Sequence, residues 1–294
     1  MRIKQSLPLA ASAALVGISA LPGFAANLVQ NPGFELSTPV NTSTYPTSAG
    51  GLGQLVQVVT VPNWTRTIIN DPGSGGFAFI VDATADNRTT GASYPGQGGG
   101  FPSQNSPTAN TNIFLWGPDY GPSPVSNGFT GSPNGGKFLG IDGDYGASKV
   151  SQTISGLTAG DTYTFSFEYA GAQESGEQGA TDQKWIFGYN GILDQVSWVN
   201  PTQGFTPWQT YTTTFTAASS SFDLSFEAWG RAVSGSGSLP PFLLLDNVQI
   251  LDSTNPPPIP PTPPVSTPGP LPLVGLGVAF SWSRRVRQRL LGRA

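Results

Sequence analysis

Between Asn27 and Asp252 the chain carries no helical hydrophobic period of useful length, and alternation of period two recurs instead. The clearest case is Asp161-Thr-Tyr-Thr-Phe-Ser-Phe-Glu-Tyr-Ala-Gly171. Tyr163, Phe165, Phe167 and Tyr169 share one face, and Thr162, Thr164, Ser166 and Glu168 share the other. Ser221–Gly230 repeats the pattern, with Phe222, Leu224 and Phe226 against Asp223, Ser225, Glu227 and Trp229. One dry and one wet face per strand is the requirement of an antiparallel sheet packed on a single core.

Further strands are predicted at Lys137–Asp142, Lys149–Ile154, Lys184–Tyr189, Ile192–Val199, Trp208–Thr216 and Phe242–Leu251. Weaker signals lie at Leu55–Thr60, Thr65–Ile69, Phe77–Val81 and Thr111–Trp116. Gly156-Leu-Thr-Ala-Gly-Asp161 reads as a tight connection, and Gly91–Asn110, rich in Gly, Ser, Pro and Asn, as a long loop. The fold class expected is all-β, an antiparallel sandwich of jelly-roll type occupying residues 27–252.

Composition narrows the chemistry. Cysteine and histidine are both absent. That removes disulfides, thiol catalysis, His-based zinc sites and Ser-His-Asp triads. Of the 13 basic residues, seven lie near the termini. The domain keeps Arg66, Arg88, Lys137, Lys149, Lys184 and Arg231 against all 17 acidic residues, a net charge of −11. Nucleic acid is therefore excluded as a natural partner, and cations and carbohydrates come forward.

The two ends have their own grammar. Met1-Arg-Ile-Lys4 is a basic start, Leu7–Leu21 an apolar run, and Gly23-Phe-Ala25 a small-residue cleavage site. Together they read as a signal peptide over residues 1–26. At the other end, nine of the 18 residues from Ser253 to Pro270 are proline. That makes 253–267 an extended linker. Leu271–Trp282 is an apolar run shorter than the roughly 20 residues that span a bilayer. Arg284, Arg285, Arg287 and Arg289 follow and would stay on the cytoplasmic side. A plain membrane anchor on a proline stalk is the alternative reading.

Pro268-Gly269-Pro270, the glycine-spaced apolar run and the Arg cluster resemble the PEP-CTERM sorting signal, over residues 268–294. Pro-Gly-Pro stands here where the type motif has Pro-Glu-Pro. The resemblance implies export, transient membrane insertion of the tail, and processing by an exosortase-type membrane enzyme, leaving the protein at the cell surface or outside it. The body resembles the galactose-binding-like jelly roll of many carbohydrate-binding modules. The residues that carry this are Asn31-Pro-Gly-Phe-Glu35, Pro62-Asn-Trp64, Lys137-Phe-Leu139, Ser151–Leu157 and Leu245-Asp-Asn-Val248. Tyr169–Gln173 with Gly204–Trp208 resembles PEP-CTERM proteins that carry such a domain. This second resemblance implies a structural Ca²⁺ where the chain's first and last strands meet, at Glu35 and Asp246, with carbonyls near Gly136 and Lys137.

Sugars stack their C–H faces on aromatic rings and offer hydroxyls to carboxylates and amides. On that ground Glu168, Gln173, Trp185, Trp208, Glu227 and Trp229 are the candidate sugar contacts. The expected function is non-catalytic binding of an extracellular polysaccharide. Two alternatives stand beside it. One is a purely structural matrix protein without a ligand; the other is a glycoside hydrolase using Glu168 and Glu227 as its carboxylate pair. Asp142-Gly-Asp144 reads as a hairpin turn rather than the start of a calcium loop.

Overall fold

The computed structural model describes residues 26–40, 51–85, 113–117, 127–234 and 240–254. The signal peptide up to residue 25, the Gly91–Asn110 loop, the sorting segment and nearly all of the Pro-rich linker lie outside the described residues.

The described chain is an antiparallel β-sandwich. Its strands are β1 (Thr38–Pro39), β2 (Gly53–Gln54), β3 (Val59–Thr60), β4 (Thr65–Ile68), β5 (Ala78–Asp82), β6 (Lys137–Asp142) and β7 (Ser148–Ser155). They continue with β8 (Thr162–Gln173), β9 (Thr181–Tyr189), β10 (Ile192–Asn200), β11 (Thr206–Thr216), β12 (Ser221–Ala232) and β13 (Pro241–Asp252). A five-stranded sheet has the order β10-β9-β12-β7-β4, and a six-stranded sheet β11-β8-β13-β6-β5-β2. β1 and β3 form a small separate ribbon. Among the described residues the helical pieces are two single 3₁₀ turns, Pro72–Ser74 and Ala83–Ala85.

The alternation in the sequence becomes the main core. Tyr163, Phe165 and Phe167 of β8 face Trp185, Phe187 and Tyr189 of β9 and Leu224 and Phe226 of β12. The rings meet edge to face or tilted: Phe167 lies 4.9 Å from Phe187 and 5.0 Å from Phe226, centroid to centroid. Such geometry adds to the area buried by each ring.

A second core lies on the opposite side of the six-stranded sheet. Phe79, Val81, Phe138, Ala170, Ala172, Phe242 and Leu244 are covered there by Leu115, Phe129 and Phe205. This explains the unbroken run Phe242-Leu-Leu-Leu245, in which every side chain is wholly buried. A strand covered on both faces has no wet side and loses its alternation.

The Leu55–Thr60 strand expectation is corrected. Leu55–Val58 is a turn between the two-residue strands β2 and β3, and Val56 takes a left-handed φ of 77°. The hairpin expected at Asp142-Gly-Asp144 is also corrected: the bend there carries the chain from β6 in the six-stranded sheet to β7 in the five-stranded sheet, with the Asp142 Oδ1 accepting from the amides of Asp144 and Tyr145 at 2.8 and 3.2 Å. Thr111–Trp116 gives an isolated bridge, Leu115 to Glu174, among its described residues.

The start of the domain is stitched to its end. Leu28 donates to the Ile250 carbonyl at 3.0 Å, and Val248 to that of Pro32 at 3.0 Å. Trp64 packs on Phe34 at 5.1 Å and donates from Nε1 to the Asn31 carbonyl at 3.0 Å. Glu35 therefore sits in a turn held against β13 and not in a first strand; Asn31 and Phe34 both have positive φ.

Candidate functional site

The two outer faces of the sandwich differ. That of the six-stranded sheet is largely roofed by the second core. On the outer face of the five-stranded sheet no second core is built among the described residues. Register fixes what stands there. Across β10, β9 and β12 one row reads Ser197, Lys184, Trp229; the row beside it reads Gln195, Ile186, Glu227 and continues to Lys149 on β7 and Thr67 on β4. A further row ends in Asp182 and Arg231.

Half-buried Trp229 is the centre of this face. The Lys184 ammonium lies 4.3 Å from its ring centroid and the Arg231 guanidinium 5.3 Å. Arg231 also donates from Nε to Asp182 Oδ2 at 3.3 Å. A groove of about 470 Å³ runs here, lined by Asp182, Lys184, Gln195, Ser197, Trp229 and Arg231 among others. A second groove of about 630 Å³ lies toward β4, lined by Asn63, Thr65, Lys149, Ser151, Asp223 and Ser225 among others. Glu227 stands between the two on β12, directly opposite Lys149. An aromatic ring flanked by cations, carboxylates, amides and hydroxyls can stack a sugar and bond its hydroxyls.

Of the sugar candidates, the fold brings Glu227 and Trp229 together here. The others are elsewhere. Trp185 is a correction: it is wholly buried between the sheets, and its Nε1 donates to the Leu244 carbonyl at 3.1 Å. Gln173 is also wholly buried. It donates to the Gly179 carbonyl at 3.0 Å and accepts from the Gln203 amide at 2.7 Å, which pins two loops. Trp208 packs edge-on against Phe138 at 5.3 Å as part of the second core, and its Nε1 donates to the Thr130 carbonyl at 3.2 Å. Glu168 stands on the outer side of the six-stranded sheet, accepting from Asn134 at 2.7 Å and Asn247 at 3.4 Å. Sequence reasoning passed over Lys184, Lys149 and Arg231. Parity could have found Lys184, because it alternates with the aromatic Trp185 and Phe187 of β9.

Glu35 and Asp246 do converge. A methyl group on Gly33 would stand 3.1 Å from Asp246 Oδ1 and 4.0 Å from Glu35 Oε1, so both carboxylates border one small space. Gly136, at φ 69°, leaves room for the Glu35 carboxylate, whose Oε1 accepts from the Lys137 amide at 2.8 Å. Asp246 is 1% exposed; the Ser132 hydroxyl bonds its Oδ2, while Oδ1 is buried without a partner. Burial, and then the charges of Glu168 and Glu35, push its carboxyl up to about 7. Among the described residues no group of three or more acidic, His or Cys side chains surrounds a metal position. An orphaned carboxylate oxygen beside a second carboxylate and a hydroxyl is still an all-oxygen donor set, and it fits a hard cation completed by carbonyls or water.

No family model matches the chain, and no curated protein matches it in sequence. Several solved structures are similar in outline. One is the module TmCBM61 in complex with β-1,4-galactotriose, at 14% identity and a TM-score of 0.37, over 78% of this chain and 99% of that one. Another is a CBM4 structure, at 24% identity and a TM-score of 0.26, over 48% and 86%. A third is CBM28, a non-crystalline cellulose specific carbohydrate-binding module, at 13% identity and a TM-score of 0.25, over 48% and 81%. At these scores the functional reading rests on the chain's own residues.

Proposed function

We propose that this is an exported, non-catalytic polysaccharide-binding protein whose glycan lies on the outer face of the five-stranded sheet. The observation that carries the reading is the contrast between the two faces. The chain spends its large aromatics roofing one sheet and leaves Trp229 accessible on the other, among Lys184, Glu227, Gln195 and Ser197. A half-exposed indole among polar groups offers a flat apolar face on which the C–H face of a sugar can stack.

The termini supply the setting. A signal peptide takes the domain out of the cell, and the Pro-rich linker holds it away from a tail with the PEP-CTERM pattern, which an exosortase would process. Calcium at Glu35, Asp246 and the Ser132 hydroxyl would be structural, tying the Asn31–Glu35 turn to β13. Asp246 belongs to the far sheet from Trp229, so an ion held by it would not touch the glycan.

Retention of the full chain on a panel of insoluble polysaccharides tests the proposal. Retention of the wild type and its loss in Trp229→Ala, at unchanged stability, is the expected result. Passage through every column unretained would leave a purely structural matrix role.

A further inference from the structure

We infer that the polysaccharide taken by the Trp229 face is acidic, a polymer bearing carboxylate groups such as a polyuronate. This deepens the reading just given and rests on it.

The starting point is where the few cations are. The domain has six basic residues against 17 acidic ones. Three of the six, Lys149, Lys184 and Arg231, stand on this one sheet face. Arg231 is engaged by Asp182. Lys149 and Lys184 form no ion pair among the described residues. Lys137, the domain's third lysine, also lacks a carboxylate, but its ammonium donates to the Glu35 carbonyl at 3.2 Å and to the Ser37 hydroxyl at 2.8 Å, whereas those of Lys149 and Lys184 make no hydrogen bond among the described residues. Glu227 faces Lys149 across the ladder yet stays beyond ion-pair distance. Lys184 instead lies on the Trp229 ring at 4.3 Å. The ring's negative face holds the ammonium without neutralising it, so its charge stays available to a ligand.

The spacing suits a chain of sugars. Lys184 on β9 and Lys149 on β7 are separated laterally by β12 and along the strands by one row. At about 4.8 Å between strands and about 6.8 Å per two residues, their Cα atoms are about 12 Å apart. A polymer crossing β12 obliquely would stack one ring near Trp229 and carry its substituents past both ammonium groups. A neutral glycan would offer the two ammonium groups hydroxyl oxygens alone and leave their charge unmatched. A carboxylate on alternate or successive rings uses both. Glu227, between them, can accept hydroxyl hydrogens, and it disfavours a polymer charged at every oxygen. The proposal is therefore a carboxylated sugar chain and not a densely sulfated one.

Polygalacturonate and the same polymer with its carboxyls methyl-esterified form the test pair, since the ester removes each charge and adds one methyl group while keeping the sugar backbone. Binding of the full chain to each is measured at low salt, in EDTA and in calcium. We expect retention in EDTA on the charged form, about tenfold tighter than on the ester and weakened by salt. Lys184→Gln and Lys149→Gln should each weaken it about three- to fivefold without moving the melting temperature. Equal binding to both forms overturns the inference while leaving the glycan platform intact. So does retention on the charged form only when calcium is present, because the ion and not the lysines would then hold the polymer. No retention on either form or on neutral galactan removes the platform reading as well.

Discussion

Glu168 and Glu227 stand on opposite outer faces of the sandwich. Glu168 is on β8 of the six-stranded sheet, bonded to Asn134 and Asn247, and Glu227 is on β12 of the five-stranded sheet, opposite Lys149. Two packed sheets are about 10 Å apart before any side chain is added. Glycoside hydrolysis needs its two carboxyls within roughly 5–9.5 Å across one sugar. These two cannot flank a single bond. The expected result is that the wild type and a Glu168→Gln, Glu227→Gln double variant release reducing ends from galactan or polygalacturonate at the same background rate. Release by the wild type that the double variant lacks would contradict the geometry.

Trp185 and Trp229 make the sharpest comparison for separating stability from binding. Trp185 is wholly buried amid Phe226 and the strands of both sheets, and Trp229 is half-buried on the surface. Trp185→Ala should cost about 3–5 kcal/mol, through the cavity and the lost bond to Leu244. Trp229→Ala should cost under about 1 kcal/mol and abolish polysaccharide retention. Denaturant unfolding alongside the binding assay reads both numbers.

The strands of the main core were legible because each has one wet face. β8 and β12 follow the alternation of the sequence along most of their length, and β6 matches its expected bounds at both ends. Phe242–Leu245 was legible as a strand but not as one buried on both sides, since a continuous apolar run does not say what roofs it. The Leu55–Val58 turn was missed for the related reason that Leu55 and Val58 are buried from a turn rather than along a strand, while Val56 between them is exposed. At the site, parity put Glu227 and Trp229 on a wet face. The same parity places Trp185 with Phe187 and Tyr189 indoors, where the structure has it. The approach of Glu35 to Asp246 depends on the absence of a side chain at Gly33 and on two ends of the domain meeting, which no local pattern encodes.

The tail carries its own expected outcome. A processed sorting signal leaves mature surface material without the Arg284–Arg289 cluster, ending near Pro270. Mass spectrometry of the C-terminal peptide reads this directly. An intact arginine-rich end on surface material would favour the plain anchor.

Stability should fall as pH rises through neutrality. Enclosure by protein, and then the charge of Glu177, push the Glu174 carboxyl up from 4.5 to about 8, and complete burial raises Asp142 as well. The folded state therefore holds protons that the unfolded chain has released above about pH 4.5. Its advantage is full below that pH, declines through the interval up to about 8, and is constant beyond. The expected melting temperature in EDTA is higher at pH 5 than at pH 8.5. Glu174→Gln, which cannot ionise, should flatten the slope. An unchanged slope in that variant would show that the Glu174 carboxyl does not titrate as its surroundings dictate.

Calcium should act on the same curve in the opposite sense. The ion needs Asp246 ionised, and that carboxyl is held up at about 7. Its orphaned Oδ1 and the neighbouring Glu35 carboxylate repel each other until a cation stands between them. At free calcium 100 times the dissociation constant, linkage stabilises the folded state by about 2.7 kcal/mol. For a domain of this size that corresponds to about 5–10 °C in melting temperature. The gain should be largest above pH 7 and shrink toward pH 5, where Asp246 is protonated and the ion must displace the proton. Asp246→Asn removes the negative charge, keeps a partner for Ser132, and should abolish the calcium response while leaving polysaccharide retention by the Trp229 face unchanged. Melting curves of both proteins, with calcium and with EDTA, decide it. A wild type that melts identically in the two has no ion at Asp246.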